Sequence, residues 1–485
     1  MNPWDKLCLD KKARTSVWQR VQKGVEAYIT GVHRARVSPL SEPENVRQML
    51  RPFTFDEPRD PIGVVDVVIK GLWDHQVHVA HPRYYGLFNP APTTMGIAAD
   101  TLAAAFNPQL ASWNHSPFGV EVECHVMRVL AGRFGYDAER ADGTFTTGGA
   151  EANMTALLTA LVHVFPEYAE RGLRCLEKQP TMYVSVEGHH SFLRAARFCG
   201  LGTDAVREIP VDGEYRMDVK ALTARMESDR KAGAAPFLIV ANAGTTNGGV
   251  IDPIEDIAGV ANRENVWYHV DAAWGGAAAF VDELRPFLDG IETSDSMTFD
   301  SHKWLSVPMG AGLYLTRHPG ILDQTFRITA DYMPPRPLAQ EVVDPYKHSI
   351  QCSRRFIGLK VFLSLAVAGW EGYGSSIRHQ TAMGDLLRKE LGQAGWEVIN
   401  RSPLPLVCFV DGQQPRGKTQ AFIQAVAQEI VSSGKAWISA TRLGRKTPVL
   451  RACITNCLTN EDDIRDLVES LNQARDKIYK KEGCS

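Results

Sequence analysis

The feature that most constrains the fold is an alternation of short apolar runs with amphipathic stretches between about residues 95 and 400. The apolar runs at 182–186, 237–241 and 266–270 have the length of buried strands. Between the last two lies a stretch at 254–264 in which the apolar residues have helical spacing. Strands that alternate with helices in this way predict an α/β fold with a mostly parallel sheet.

The two flanks of this region have a different sequence pattern. The N-terminal flank is predicted to be a helical segment interrupted by prolines, and the C-terminal flank a small α+β domain. In the C-terminal flank we expect a long helix at 358–368, strands near 406–410 and 449–454, and helices at 419–432 and 461–477. The predicted parts are the N-terminal segment 1–85, which would form dimer contacts, the large domain 86–355 and the small domain 356–485.

The composition excludes several classes of protein. Hydrophobic residues make up 44% and charged residues 22%, as in ordinary globular chains. Lys and Arg total 53 against 56 Asp and Glu, and this balance argues against a nucleic-acid or membrane-surface binder. No apolar run approaches the roughly 20 residues of a membrane span, and no signal-peptide core is visible, so a cytoplasmic location is expected. The nine irregularly spaced cysteines are expected to be reduced, mostly in the core, without a metal site.

A nucleotide-binding motif is matched literally by Gly-Gln-Gln-Pro-Arg-Gly-Lys-Thr at 412–419, between a predicted strand and a predicted helix. Pro415 removes one backbone N–H of the kind that a phosphate loop uses. The match also lies too near the C-terminus for the rest of an NTPase sheet to follow it. A polar turn before a helix is therefore the preferred interpretation, and an NTPase is the alternative from a different class.

Two residues that follow predicted strands carry the strongest chemical signal. Asp271 ends the strand in His-Val-Asp-Ala-Ala at 269–273, where it either caps a turn or pairs with a cationic ring nitrogen of a cofactor. Lys303 lies in Asp-Ser-His-Lys-Trp at 300–304, and its apolar neighbours would desolvate the amine and favour Schiff-base chemistry. Together, in this order, the two residues indicate pyridoxal phosphate.

Two further segments fit a phosphorylated ring. Thr-Thr-Gly-Gly-Ala-Glu-Ala-Asn at 146–153 precedes a helical run, and a Gly-Gly turn at a helix N-terminus presents free N–H groups to a phosphate. Glu-Gly-His-His-Ser at 187–191 follows a predicted strand, where a histidine can stack on a planar cofactor. Taken alone, each segment is better explained as a plain helix start or a hydrogen-bonded loop.

In this set and order the motifs resemble the group II pyridoxal-phosphate amino-acid decarboxylases. The likeness covers about residues 70–475 and includes His-Pro-Arg-Tyr-Tyr-Gly at 81–86, Ser-Trp-Asn-His-Ser-Pro at 112–117 and Asn-Ala-Gly-Thr-Thr at 242–246. It implies a fold-type I enzyme that uses pyridoxal 5'-phosphate on a small amino-acid substrate, as a homodimer with its active site at the subunit interface. Intact Lys303 and Asp271 argue against a catalytically silent homologue that acts as an interaction protein.

The resemblance also implies a role for each matching residue. Lys303 would form the Schiff base, Asp271 would pair with the ring nitrogen, and His302 would lie beside the Schiff base. The other contacts implied are ring stacking by His190 and Ala273, Thr246 near the ring or the substrate carboxylate, and Gly148, Gly149, Ala150 and Asp300 at the phosphate. The family often has Ser where this chain has Ala150, and Ser301 or Thr147 would compensate for the missing hydroxyl.

A long Pro-rich segment at 330–348 is expected to form a lid over the site. In the family, a tyrosine on such a loop delivers a proton to Cα after CO₂ leaves. Tyr346 is the better match by its distance from Arg354 and Arg355, and Tyr332 is the second choice. Relatives that make aldehydes often have Phe at this place, so a tyrosine favours amine formation over oxidative decarboxylation.

Signals for the substrate point in two directions. Tyr84, Phe88 and Trp113 would build an aromatic pocket, whereas Arg83 or His115 would meet an acidic side chain. The segment at 112–117 is similar to the aromatic and diamino-acid branches of the family, and Ile-Gln-Cys at 350–352 is closer to the acidic branch. We expect an aromatic or other hydrophobic L-amino acid, with acidic and diamino acids as the alternatives.

Overall fold

The computed structural model describes residues 7–328 and 342–481. The N-terminal part consists of the helices α1 Lys11–Gly31, α2 Pro43–Leu50 and α3 Pro61–Asp74. Helices α2 and α3 both begin at a proline, because the first turn of a helix has no use for that backbone N–H. Two of the prolines that interrupt the predicted helical segment, Pro43 and Pro61, are thus the starting points of its helices.

A seven-stranded sheet forms the centre of the large part. Its strands are β1 Asp142–Thr146, β2 Pro180–Ser185, β3 Val206–Ile209, β4 Ala235–Asn242, β5 Trp267–Asp271, β6 Ser296–Asp300 and β7 Gly312–Thr316. The spatial order is β1-β7-β6-β5-β4-β2-β3, and β7 is antiparallel to both of its neighbours, while the remaining pairs are parallel. Strands β1 to β6 therefore all end at the same edge, which is where ligands bind in sheets of this kind.

Helices pack around this sheet and bury its apolar faces. They are α4 Thr94–Phe106, α5 Pro117–Phe134, α6 Gly149–Val164, α7 Tyr168–Arg171, α8 Ser191–Phe198, α9 Val219–Lys231, α10 Ile254–Glu264 and α11 Ile321–Phe326. Helix α6 starts directly after the turn that follows β1, and nine of its sixteen residues are buried. Because α6 lies across the middle of the sheet, its first turns contribute side chains to the same edge as the strand ends.

The C-terminal part begins with a long helix and ends with a second, smaller sheet. Its elements are α12 Gly358–Gln393, β8 Trp396–Val398, β9 Leu406–Asp411, α13 Gln420–Ser433, β10 Ser439–Leu443, β11 Thr447–Cys453 and α14 Glu461–Lys481. The four strands are antiparallel in the order β10-β11-β9-β8. Helix α12 contains one residue with non-helical dihedral angles, Gly369, immediately after the predicted helix end at 368.

The predicted fold class is confirmed: a large, mostly parallel sheet carries a helical N-terminal segment and a small α+β part. The boundaries at 85/86 and 355/356 stay predictions. The expectation that the cysteines mostly fill the core is wrong, because only Cys408 and Cys453 of the eight in the described ranges are buried. Over residues 7–328 and 342–481, no helix has the length and apolarity needed to cross a membrane.

Candidate active site

The literal nucleotide motif at 412–419 does not have the surroundings of a phosphate loop. It follows β9, a strand with antiparallel neighbours, whereas a phosphate loop follows a strand of a parallel sheet. The Thr419 hydroxyl accepts from the backbone N–H of Phe422 and so caps α13, and the Lys418 amine pairs with Glu397. The residues of the motif thus serve a turn and a helix start.

The ends of β4, β5 and β6 bring most of the predicted cofactor residues together. Thr246 follows β4, Asp271 and Ala273 lie at the end of β5, and Lys303 follows β6. The turn between β1 and α6 contributes the glycines of the predicted phosphate site. This single edge of the sheet is the candidate active site.

Lys303 lies in a partly desolvated position above an aromatic ring. Its Nζ is 2.9 Å from Oδ2 of Asp300 and 5.5 Å from the ring centre of Phe88. The lysine side chain is 22% exposed and the Asp300 side chain 2%. The amine can therefore be reached from solvent, while its counter-ion is held inside the protein.

The Gly-Gly turn lies directly against the residues that follow β5 and β6. A Cβ atom added to Gly149 would lie 2.9 Å from Oδ2 of Asp300 and 3.5 Å from Cβ of Ala273. A Cβ atom added to Gly148 would lie 3.6 Å from Cε1 of His302. Small residues are needed here because any side chain would fill the space at the helix N-terminus where an anion can approach.

The two hydroxyls expected to compensate for Ala150 differ in their surroundings. The Thr147 hydroxyl donates to Oε2 of Glu151 at 2.7 Å and is therefore engaged. The Ser301 hydroxyl is buried, and among the described residues it has no hydrogen-bond partner. Ala150 itself is exposed in the first turn of α6. An unsatisfied buried hydroxyl next to Asp300 and the Gly-Gly turn fits a phosphate group as its missing partner.

Asp271 is buried and has a donor on each oxygen. The backbone N–H of Ala273 donates to Oδ1 at 3.1 Å, and the side-chain amide of Asn153 donates to Oδ2 at 2.8 Å. Asn153 belongs to the predicted phosphate motif, but sequence analysis gave it no role. Asn153 could have been noticed in the sequence as a polar residue on an otherwise apolar helix face.

The adjacent histidines 189 and 190 differ in their environment. His189 is partly buried, and this burial lowers the pKa of its imidazole. The charge of Lys303 also lowers the pKa of His189, whereas the Asp271 carboxylate raises it. His190 is exposed and begins α8 as its N-cap. The stacking role predicted for His190 therefore fits His189 better, since His189 faces the charges of the site.

His302 is held by the backbone beside Lys303. Its Nδ1 accepts from the N–H of Ala311 at 3.1 Å, and burial lowers its pKa. In the neutral ring the proton is therefore on Nε2, which lies 3.9 Å from Oδ2 of Asp300.

Phe88 connects the lysine with a buried arginine that sequence analysis missed. The Phe88 ring stacks on Trp274, with a centroid distance of 4.7 Å, and the guanidinium carbon of Arg451 lies 5.0 Å from its centre. Arg451 donates through Nε to the carbonyl of Thr246 at 3.1 Å and through Nη1 to the carbonyl of Gly86. Its Nη2 is buried without a hydrogen-bond partner in the described ranges. The available signal was a charged residue inside a strand, β11, whose neighbouring residues are apolar and buried.

Tyr84 contributes to the same region from the side of the small part. It is buried, its ring lies 5.3 Å from that of Trp437, and its hydroxyl accepts from the N–H of Leu87 at 3.1 Å. Burial raises the pKa of the Tyr84 phenol, so the hydroxyl stays protonated. Of the four predicted substrate residues, the structure brings Phe88 to Lys303, and it places Tyr84 near Gly86, whose carbonyl accepts from Arg451.

The other two predicted substrate residues form a separate cluster with the predicted proton donor. The N–H of Tyr346 donates to the carbonyl of Ala111 at 3.0 Å, and the N–H of Trp113 donates to Oδ1 of Asp344 at 3.1 Å. His115 pairs with the hydroxyl of Ser112. Within the described ranges, no hydrogen bond, ion pair or ring contact joins these side chains to Lys303. Tyr332 and most of the predicted lid lie outside the described residues.

Taken together, the edge offers a lysine, a buried carboxylate held by two donors, a glycine turn at a helix N-terminus and an unsatisfied hydroxyl. The lysine fits the amine-reactive aldehyde of pyridoxal phosphate, and the carboxylate fits its ring nitrogen. The glycine turn and the hydroxyl together fit its phosphate. In the part of the chain that the structure describes, no cluster of His, Cys, Asp and Glu is arranged to hold a metal ion.

Comparison with known proteins agrees with this assignment of the cofactor. Residues 43–411 match the model of the pyridoxal-dependent decarboxylase conserved domain. The chain is 29% identical to an aromatic-L-amino-acid decarboxylase of Bacillus atrophaeus, over 94% of this chain and 95% of that protein. It is 28% identical to the cysteine sulfinic acid decarboxylase of Mus musculus, over 92% of each chain.

Solved structures similar to this one include relatives of both substrate types. The crystal structure of mouse CSAD superposes with a TM-score of 0.89 at 26% identity and covers 96% of this chain and 99% of its own. That of Oryza sativa TDC with PLP and tryptamine gives a TM-score of 0.88 at 25% identity, with 97% and 99% covered.

Proposed function

This chain belongs to the pyridoxal-dependent decarboxylase family, and from that premise we propose that it converts an L-amino acid to its amine and CO₂ at the edge that carries Lys303 and Asp271. The observation that carries the proposal is the placement of these two residues at the ends of neighbouring strands, beside the Gly148–Gly149 turn. Pyridoxal phosphate, when bound at this edge, would supply the electron sink for the electrons released when the substrate's Cα–carboxylate bond breaks.

Each group of the chain has a distinct task in this reaction. The Asp271 carboxylate holds a proton on the ring nitrogen, which keeps the ring electron-withdrawing. The N-terminus of α6 and the Ser301 hydroxyl bind the phosphate and thereby fix the orientation of the ring. His189 covers one ring face and excludes water from it. His302, neutral because burial lowers its pKa, would hold its Nε2 proton on the side of Asp300, the ion-pair partner of Lys303.

A second copy of the chain completes the site. Tyr346 and Trp113 lie together but have no described contact with Lys303 of the same chain, so they would act at the partner's site. An apolar groove of about 710 Å³ between α1 and α3 supports the dimer. Its exposed walls are built by Val25, Ile29, Val68 and Leu72. An apolar face of this size on two helices is typical of an interface between subunits.

Mixed dimers test this arrangement. Lys303→Ala and Tyr346→Phe are each expected to abolish amine formation in homodimers. Mixing the two inactive proteins at equal amounts after subunit exchange should restore about a quarter of wild-type activity, because half of the dimers then contain one intact site of two. Activity that stays absent after verified exchange, or a monomer in sedimentation equilibrium, would remove the shared site.

For the substrate we propose an aromatic or other hydrophobic amino acid. Phe88 supplies buried aromatic surface beside Lys303, and Tyr84 adds buried aromatic surface near Gly86, whose carbonyl accepts from Arg451. Such surface binds an apolar side chain. A specific observation favours an acidic substrate as the second candidate: the buried Nη2 of Arg451 has no hydrogen-bond partner among the described residues, and the guanidinium carbon lies 5.0 Å from the centre of the same Phe88 ring. A carboxylate is the natural partner of such a guanidinium.

Product analysis by mass spectrometry decides between them. The cofactor-loaded protein is incubated with the common L-amino acids, ornithine, 2,4-diaminobutyrate and cysteine sulfinate. One stoichiometric aromatic amine is the expected product, and Arg451→Gln should then change kcat/KM far less than Phe88→Ala. An amine from an acidic substrate, with the order of the two variants reversed, selects the second candidate. An aldehyde as the main product would replace the proposed reaction with oxidative decarboxylation.

A further inference from the structure

Asn153 is a fully buried amide in α6 that has a partner for every hydrogen-bonding group. Its Nδ2 donates to Oδ2 of Asp271 at 2.8 Å and to the hydroxyl of Ser191 at 2.9 Å. Its Oδ1 accepts from the hydroxyl of Thr298 at 2.6 Å and lies 3.3 Å from Nε2 of His269. Four partners around one side-chain amide are close to the maximum that asparagine can satisfy.

These partners come from the register of two neighbouring strands. His269 and Asp271 project on the same face of β5, and Ser296 and Thr298 project on the same face of β6. The register pairs His269 with Ser296 and Asp271 with Thr298. Asp271, Thr298 and His269 meet Asn153 in the first turns of α6, and Ser296 pairs with Nδ1 of His269. The strands and the helix therefore form a polar layer inside an otherwise apolar core.

The orientation of the amide is set by charge. With Nδ2 toward Asp271, a donor meets an anion, whereas the flipped amide would set its oxygen against the carboxylate. The Thr298 hydroxyl holds the other end of the amide in place. His269 is neutral at physiological pH because burial lowers its pKa to about 4, so no cation of this layer competes for the carboxylate.

We propose that Asn153 is a positioning residue that holds Asp271 as a correctly oriented carboxylate, so that the proton shared with the cofactor's ring nitrogen stays on the ring. A hydrogen bond to the charged form of an acid favours that form over the protonated one. Asn153 thus makes Asp271 less basic and shifts the proton toward the ring nitrogen. The inference rests on the proposed pairing of Asp271 with that nitrogen.

Asn153→Leu removes the donor while keeping the approximate volume of the side chain. A hydrogen bond to a charged group contributes on the order of 10-fold or more to an equilibrium, so the proton should move toward Asp271 by about that factor. The readout is the ¹⁵N chemical shift of ring-labelled pyridoxal phosphate in the holoenzyme. It should move toward the value of an unprotonated ring nitrogen, and the cofactor Kd should rise about 10-fold. An unchanged shift in a folded variant overturns the proposal.

A second pair of variants keeps the test valid if Asn153→Leu does not fold. Thr298→Val removes the donor that anchors Oδ1 of Asn153, and Thr298→Ser keeps it. The first should move the ¹⁵N shift partway, and the second should leave it at the wild-type value. Thr159→Val is the matched control, because the Thr159 hydroxyl lies on the same helix but pairs with Tyr314 instead. A shift that responds equally to Thr298→Val, Thr298→Ser and Thr159→Val would reflect loosened packing and overturn the proposal.

Asp271→Ala separates this inference from the function on which it rests. If Asp271→Ala keeps the wild-type ¹⁵N shift and Kd, Asp271 is not the partner of the ring nitrogen and the proposed site itself fails. If Asp271→Ala changes both quantities while Asn153→Leu changes neither, the site stands and only the role of Asn153 is refuted.

Discussion

The ion pair of Lys303 with Asp300 gives a prediction that can be tested before any substrate is known. The pair is 2.9 Å long, and the carboxylate is 2% exposed with one oxygen, Oδ1, that has no hydrogen-bond partner in the described ranges. Lys303→Ala therefore leaves a buried charge without a partner. Asp300→Asn has a smaller effect, because the lysine, at 22% exposure, can turn to water.

The size of the effect follows from the geometry. At 2.9 Å and an effective dielectric constant of about 20, the attraction between two unit charges is roughly 6 kcal/mol, and desolvation offsets much of it. We expect Lys303→Ala to lower the free energy of unfolding by about 3 kcal/mol, the lower end for a broken buried pair. The double variant with Asp300→Asn should recover about 2 kcal/mol, since it carries no unpaired charge.

Thermal unfolding of the cofactor-free proteins measures this cycle. A chain of 485 residues has an unfolding entropy of roughly 1 kcal/mol/K, so Lys303→Ala should lower Tm by about 3 °C and the double variant by about 1 °C. Lys418→Ala is the control, because its pair with Glu397 is about half exposed on both sides and contributes little. A Lys303→Ala protein as stable as the wild type, or a double variant less stable than both single ones, would refute the reasoning.

Three further predictions concern the same site. His189→Ala should raise the cofactor Kd about 10-fold and His190→Ala less than 3-fold, as judged by titration of the cofactor-free proteins, and the reverse order would restore the stacking role to His190. Gly149→Ala should raise the same Kd about 10-fold and lower Tm by about 1–3 °C, because the added methyl would lie 2.9 Å from Oδ2 of Asp300 and force that buried carboxylate to shift. Burial lowers the pKa of His269 to about 4, so below its unfolded pKa of about 6.5 the unfolded chain binds a proton that the native state excludes. The contribution of His269 to the free energy of unfolding should therefore fall by about 3 kcal/mol from pH 6.5 to 4. His269→Gln should make the dependence of Tm on pH shallower than in the wild type. Parallel profiles of Tm against pH for the two proteins would contradict this.

The strands and helices with strong periodicity were predictable from the sequence. The helix at 254–264 matches α10, and the strands expected at 237–241 and 266–270 match β4 and β5 to within a few residues. The prediction of the long helix was less complete, because it placed the end of the helix at 368. Gly369, with φ of 62°, departs from helical geometry there, but regular structure resumes and α12 continues to Gln393. The glycine that interrupts the helix was thus visible in the sequence, while the resumption of the helix depends on tertiary packing.

The candidate site was predictable where one short motif contains the chemistry. Asp271, Lys303 and the Gly148–Gly149 turn follow strands directly, so local sequence placed them at one edge. Asn153 and Arg451 were missed because their partners are distant along the chain: Asn153 reaches Asp271 across 118 positions, and Arg451 reaches Thr246 across 205. Such contacts exist only once the sheet has formed.

The two adjacent histidines illustrate a limit of a different kind. His189 and His190 have the same chemistry and follow the same strand, so the sequence offers no means of choosing between them. The choice depends on the local backbone, because α8 begins at Ser191 and leaves His190 as an exposed N-cap. These two neighbouring residues therefore differ in direction: the His189 side chain faces the site, and the His190 side chain faces solvent.

Pyridoxal phosphate is proposed to bond to Lys303. Borohydride reduction followed by peptide mass spectrometry tests this bond most directly. Reduction of the cofactor-loaded protein makes the bond to the lysine permanent, so the modified peptide identifies the residue. The account predicts one pyridoxyl group per chain, on Lys303, and none in a folded Lys303→Ala protein. A modification on another lysine, or a stoichiometric modification that survives Lys303→Ala, would contradict it.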